Sequence, residues 1–324
     1  MIKYILSKII RFFYRLFSKL IYFLIPIISR LLIKLRLHFR IINQFNKLRS
    51  ESHKIDSHEN IISSLLDKKK LVALDVGAQG GFLNGSIFPS KYNTFFSPVV
   101  VEPIPSEAKK LKDKNYKVIS QGLWSENCKK KLYILGKRPG SSSLHKPDKN
   151  AFDLYGFKEK DFSLFDVTDE IDINCTTVNE SLNKLEIKQL DFLKIDTQGS
   201  ELEILRGLGN YLPLMIKIEV QIIPMYKNIP NWTELVNYLY KMNYMTCEWI
   251  EIGKHLTRTP AEMDMIFIPN YLTENGKKII LSRINEFVSL MLIFGHIKLL
   301  QNISKKLSFS INPQLLKIKD KFFQ

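Results

Sequence analysis

The sequence predicts an α/β protein, a mostly parallel β-sheet carrying a basic helical extension at each end. Three observations predict it. Between Lys70 and Pro269, short β-branched apolar runs alternate with helical stretches, the texture of a parallel-rich sheet. Several of those runs end in an acidic residue near glycine or proline, where open α/β sheets hold ligands. The charge is also segregated. Of a net +16, residues 1–50 carry +11 without a single acid, residues 271–324 carry +6, and the middle carries −1.

Composition narrows the class. At 324 residues the chain has room for two domains, or one large domain with extensions. Hydrophobic residues at 45% and charged residues at 25% exclude a disordered or fibrous chain. The bases at the termini are interleaved with Ile, Leu and Phe, which suits an anionic membrane surface and not a nucleic acid. Cys128, Cys175 and Cys247 are odd in number and widely spaced, which points to a reducing compartment. No HxxxH, no EF-hand spacing and no Cys/His set suggests a metal.

The expected division is 1–50, 51–270 and 271–324. In the first segment Lys8, Arg11, Arg15 and Lys19 line one helical face, while Ile5, Ile9, Phe12, Leu16, Leu20 and Phe23 line another. Pro26 ends or kinks that helix. Its longest charge-free run, Leu20–Ser29, has ten residues, whereas a span needs roughly 20. Residues 1–48 are therefore expected to anchor the chain peripherally, placing it in the cytoplasm at the inner membrane face. Helices that cap the domain or pair with a second subunit are the alternative, and the oligomeric state stays open.

From Leu71 the expected strands are Leu71–Val76, Pro98–Val101, Val118–Ile119, Leu132–Leu135, Leu190–Ile195, Met215–Val220 and Met265–Ile268. The expected helices are Ser106–Asp113, Ser200–Leu208 and Thr233–Lys241, the last capped from Asn231. After Tyr271 an uncharged run, Phe287–Ile297, precedes Lys298, Lys305 and Lys306. It is expected to form a second surface-seeking helix, packing beside the N-terminal one.

The chemistry starts at Asp75-Val76-Gly77-Ala78-Gln79-Gly80-Gly81. A buried strand delivers an acid, then glycines let a ligand approach the backbone. A carboxylate ahead of the turn repels phosphate but suits a cationic ligand, unlike the pyrophosphate-binding GxGxxG. A plain strand-turn is the competing explanation. Glu102 ends the next strand, where an acid commonly accepts hydrogen bonds from ribose hydroxyls; a solvated Glu before Pro103 and Pro105 is the competing one.

Asp191-Phe192-Leu193-Lys194-Ile195-Asp196-Thr197-Gln198-Gly199-Ser200-Glu201-Leu202-Glu203-Ile204-Leu205-Arg206-Gly207 resembles the signature of the FkbM family of methyltransferases. Asp75–Gly81 resembles its first motif, Val101–Pro105 its second-strand motif, Ser141–Leu144 its Gly-Ser-Ser loop and Ile218–Val220 a later strand. The resemblance spans Leu71 to Ile268 and leaves both basic ends outside. Gln79 departs from it. The resemblance implies a Rossmann-like, seven-stranded fold that moves the methyl of S-adenosylmethionine to a hydroxyl, of a sugar in a glycan or a lipid-linked precursor. It implies a cofactor site at Asp75, Gly77, Ala78, Gly81, Glu102, Pro103 and Glu201.

An alcohol is a poor nucleophile, so a base or metal is needed near its oxygen. Asp196, at a strand's carboxyl end, is the first candidate; it serves as base, orients substrate, or caps the following helix. Glu219 lies inside an apolar strand, where a carboxylate is costly unless partnered or functional. His145, beside the Ser141–Leu144 loop, is the third candidate, although a lone loop His is usually solvated. Two rivals remain: an NAD-type oxidoreductase, disfavoured by Asp75, and a catalytically silent membrane-bound scaffold.

Overall fold

The computed structural model describes residues 58–311 other than 83–87, 89 and 253–260, together with Leu24. The chain divides into two compact units, Met1–Ser57 and His58–Gln324. The anchor expected over residues 1–48 lies outside the described residues, Leu24 apart. Among those described, no helix is long and apolar enough to cross a membrane.

Helix α1 (Glu59–Leu66) leads into β1 (Leu71–Val76), β2 (Phe96–Val101), α2 (Pro105–Asp113) and β3 (Lys117–Ile119). Then come β4 (Gly122–Leu123), β5 (Cys128–Ile134), β6 (Asp169–Thr176) and α3 (Val178–Lys184). The series β7 (Phe192–Ile195), α4 (Glu201–Arg206), β8 (Met215–Gln221), α5 (Trp232–Lys241), β9 (Tyr244–Ile252) and β10 (Glu262–Pro269) follows. Helices α6 (Glu274–Leu281), α7 (Ile284–Ile293) and α8 (Ile297–Leu307) close it.

Seven strands form one sheet in the order β3-β2-β1-β7-β8-β10-β9. The first five run parallel, and β10 is antiparallel to both its neighbours. This is the seven-stranded, mostly parallel α/β architecture that the sequence predicts. The strand expected at Leu132–Leu135 sits elsewhere: β5 belongs to a second, three-stranded sheet, β4-β6-β5. Strand β9 escaped the reading because Thr246-Cys247-Glu248-Trp249 alternates polar and apolar residues, as an edge strand does.

Strand alternation sends successive side chains to opposite layers. Leu71, Ala73, Phe96 and Phe192 pack with α1, α7 and α8 on one face. Leu74, Val76, Val99, Leu193 and Ile195 pack on the other face, with α3, α4 and α5. The cap expected at Asn231 is present, its side chain accepting from the Thr233 amide at 3.0 Å.

The tail corrects an expectation. Instead of a surface-seeking helix, Phe287–Ile293 is buried throughout. Apart from Ser289 this stretch is apolar on every side and has no face to give to water, so it packs between the sheet and its neighbours. Lys305 and Lys306 stay exposed. Arg283 ties this layer to the sheet, donating to Asp191 Oδ1 at 3.0 Å and to the Leu190 carbonyl at 2.8 Å. Asp191 is 2% exposed and also accepts from the Val72 amide at 2.8 Å.

Phe287→Ala is expected to lower the unfolding free energy by about 3–5 kcal/mol through the cavity it leaves. Lys305→Ala is expected to change it by less than about 0.5 kcal/mol. Urea denaturation of both variants checks this.

Candidate functional site: a cleft and an adjoining cavity

Register brings the site together. Val76 pairs with Val101 on one side and with Ile195 on the other. The next residue of each strand, Gly77, Glu102 and Asp196, therefore stands side by side at the carboxyl edge of the sheet. All three line a cleft that encloses about 100 Å³ and opens to solvent. Its apolar far wall comes from the small sheet, through Leu123 and Ile173.

Under the cleft floor lies Asp75, 1% exposed. Lys194, its register partner on β7, places Nζ 3.2 Å from Asp75 Oδ1 and 3.4 Å from Asp196 Oδ2. Burial opposes the ammonium charge, yet the two carboxylates hold the Lys194 pKa above its ordinary value. Asp75, expected in the cofactor site, thus lies beneath the floor and is not part of the wall.

Gly77 has φ +81°, and a Cβ there would come within 1.9 Å of the Asp196 carbonyl oxygen. Glycine is required on both counts. Glu102, buried at the end of β2, accepts from the Ile104 amide through Oε1 at 2.9 Å, which leaves Oε2 for a ligand. Burial pushes its carboxyl pKa up. Pro103 lines the same wall.

Besides Asp75, three expected cofactor residues do not reach the cleft wall. Ala78 packs in the core. Gly81 closes against the Tyr116 ring, 3.1 Å from where its Cβ would stand. Glu201 is buried and accepts from the Thr197 amide at 3.0 Å, the Thr197 hydroxyl at 3.0 Å and the Gly199 amide at 3.0 Å. It therefore shapes the loop that follows Asp196; burial lifts its pKa while those donors pull it back.

A second cavity, about 530 Å³, adjoins the cleft and shares Pro139, Gly140 and Asp196 with it. Tyr155 and Phe157 line it with rings stacked at 6.4 Å and 12°. The Tyr155 hydroxyl donates to the Ile223 carbonyl at 2.6 Å, so the phenol is engaged and the ring remains as a surface.

Glu219 and Glu262 line the same cavity. Gln198, held at φ +59°, donates from Nε2 to Asp196 Oδ1 at 3.1 Å and to Glu219 Oε1 at 2.7 Å. Its own Oε1 accepts from Gln221 at 3.1 Å, which fixes the amide's orientation. Burial first, then Asp196, Glu262 and Asp264, lift the Glu219 pKa well above the carboxylate range. Glu262 is pushed up to about 7, by burial, then Asp196 and Asp264, against the pull of Arg138.

Asp196 and Glu219, two of the three expected catalytic residues, are thus joined through one side chain. His145 is not part of that set. Its Nδ1 lies 3.2 Å from the Lys227 carbonyl, and its amide donates to Ser143 Oγ at 3.0 Å. Burial lowers its pKa and so favours the neutral ring. It lines neither cavity and buttresses the loop that does.

Sequence reasoning missed Glu262 and the bridging role of Gln198. Gln198 sat in plain view inside the quoted signature; Glu262 follows an unpatterned segment and gave no signal. Among the described residues no group of three His, Cys, Asp or Glu is placed to hold a metal ion.

The cleft fits S-adenosylmethionine on its own chemistry. Ser200 Oγ, on the wall and 2% exposed, has no hydrogen-bond partner within the protein. Such a buried hydroxyl calls for a ligand or water. Glu102 offers an acceptor for ribose hydroxyls, and Gly77 leaves backbone room beside Asp196. Gly77→Ala is expected to weaken S-adenosylhomocysteine binding more than tenfold in calorimetry while the far-ultraviolet dichroism stays that of the folded sheet.

Residues 75–245, just over half of the chain, match the family model of the methyltransferase FkbM domain. No curated protein matches the sequence. Among solved structures, M. capricolum TrmK in complex with S-adenosyl-homocysteine is similar at 13% identity and TM-score 0.32, over 79% of this chain and 89% of that one. The 16S rRNA methylase ArmA is similar at 9% and 0.26, over 71% and 96%. A SAM-dependent methyltransferase from Aquifex aeolicus is similar at 11% and 0.27, over 70% and 97%. The family match sets the NAD-type oxidoreductase aside: the chain belongs to the FkbM methyltransferase family, with S-adenosylmethionine as its cofactor.

Proposed function

We propose that the protein methylates a hydroxyl of a sugar, in a glycan or its lipid-linked precursor, at the inner face of an anionic membrane. The observation that carries the reading is the cavity beside the cleft. It meets the cofactor site at Asp196 and offers both a stacked-ring wall and carboxylates of raised pKa. Aromatic faces suit a sugar ring, and carboxylates accept from its hydroxyls.

Gly77, Glu102, Pro103 and Ser200 would hold S-adenosylmethionine, which supplies a methyl group on a sulfonium, an electrophile needing no further activation. The protein's remaining tasks are alignment and removal of the acceptor proton. Gln198 uses both its amide hydrogens to fix Asp196 and Glu219, so neither carboxylate is free to swing. Glu262 is the proton acceptor in this reading. A carboxylate with a pKa near the working pH is ionised often enough to act, yet basic enough to take an alcohol proton.

Methyl transfer from labelled S-adenosylmethionine to a panel of sugars and lipid-linked sugars tests the activity. Its absence from folded, cofactor-binding protein favours the silent scaffold. The rate is expected to rise with pH through about 7 and then level, because Glu262 acts only when deprotonated. Glu262→Gln is expected to lower it by about 10²–10⁴-fold and to remove that limb.

The folded pKa of Glu262 lies above the ordinary 4.5, so the folded state binds more protons between the two values, and stability falls as pH rises across that window.

The membrane half rests on the basic amphipathic pattern of residues 1–48. Deleting them is expected to abolish pelleting with anionic liposomes; unchanged pelleting would sink it.

A further inference from the structure

We propose that the acceptor sugar carries an anionic group, a phosphate or a carboxylate, and that Arg138 with Lys137 binds it at the second cavity. The inference deepens the acceptor reading above and rests on it.

Arg138 immediately precedes Pro139 and Gly140, the residues that the cleft and the cavity share, and it lines the cavity itself. Its guanidinium lies 4.7 Å from the centre of the Phe165 ring and 5.4 Å from that of Phe157. The backbone behind it is fixed by the Arg138 amide donating to the Leu135 carbonyl at 2.9 Å. Two rings therefore hold the flat group in place before any ligand arrives.

The contrast with the other arginines is informative. Arg206 pairs with Glu203, and Arg283 pairs with Asp191 at 3.0 Å. Among the described residues no carboxylate pairs with Arg138, and no side chain or carbonyl accepts from its guanidinium. These cation–π contacts use no N–H hydrogen bond and leave the donors, five N–H groups in a fork that matches phosphate or carboxylate oxygens. Arg138 is half-buried and its unpaired donors stay open to the cavity, so an anion there meets a held guanidinium fork.

Lys137 adds a second cation to the same wall. Its Nζ reaches only the Ser163 hydroxyl, at 3.4 Å, and no acid among the described residues pairs with it.

The carboxylates across the cavity do not cancel this preference. Lys194, shared with Asp75, offsets part of the Asp196 charge, Lys217 pairs with Asp264, and burial favours the uncharged form of Glu219. Glu262 is pushed up to about 7, and Arg138 is the group that pulls it toward ionisation. An acceptor is thereby oriented at two points: its anion on Arg138, and its reacting hydroxyl toward Asp196 and Glu262. A neutral sugar would lack the first.

The test is calorimetry on the full chain loaded with S-adenosylhomocysteine. The probes are glucose 1-phosphate, N-acetylglucosamine 1-phosphate and glucuronic acid, each beside its uncharged sugar, with inorganic phosphate as a further probe. At least one charged sugar is expected to bind saturably and at least tenfold tighter than its uncharged form and than inorganic phosphate. Which one binds separates phosphate from carboxylate.

Arg138→Gln is expected to erase the preference, and Arg138→Lys to restore part of it, since lysine keeps the charge without the fork. Equal binding of charged and neutral sugars, no binding of any charged sugar, or a preference that survives Arg138→Gln would overturn the proposal. Failure of S-adenosylhomocysteine itself to bind would strike the cofactor site instead. The anion preference would then be read on the unloaded chain.

Discussion

One ammonium group organises the site. Lys194 stands between Asp75, wholly buried, and Asp196, which faces the cleft, and it also donates to the Gly77 carbonyl at 3.3 Å. Removing it would leave a buried carboxylate without its counter-charge, a loss of roughly 3–5 kcal/mol for pairs of this kind. The same contact sets the relative height of β1 and β7. On that alignment depend the abutting of Gly77 and Asp196, the position of Glu102 beside them, and the reach of Gln198 toward Glu219. The floor of the cleft is an electrostatic construction before it is a binding surface.

Much of this was legible from the chain, because the residues that matter end apolar runs. Asp75, Glu102 and Asp196 each follow or close a buried strand, and parallel strands in register bring such ends together. Ala78 and Gly81 obey the same local pattern but turn inward, which one-dimensional spacing does not reveal. His145 sits 82 positions from the carbonyl its ring meets, a contact that no local signal encodes. Glu262 becomes informative only once β10 returns antiparallel beside β8 and aligns it with Gln221.

The tail shows a different failure. Averaged over residues 271–324, the positive charge masked a stretch apolar but for Ser289, and the average suggested a surface element. Composition by segment described the exposed lysines faithfully and missed the helix between them. Periodicity, applied to Phe287–Ile293 alone, would have called for burial, since no polar stripe interrupts it.

The attachment of Asp191 to Arg283 reaches beyond packing, into the order of synthesis. Asp191 is laid down at the start of β7, in the middle of the sheet, while its counter-ion is added 92 residues later. A nascent domain holding every strand would still have an uncompensated charge in its interior and one apolar sheet face without its covering helices. Domains emerging from a ribosome fold as units at about 5–20 residues per second. For this chain, completion of the central strand therefore waits several seconds on the last helices, and that interval is when the uncovered face is open to chaperones.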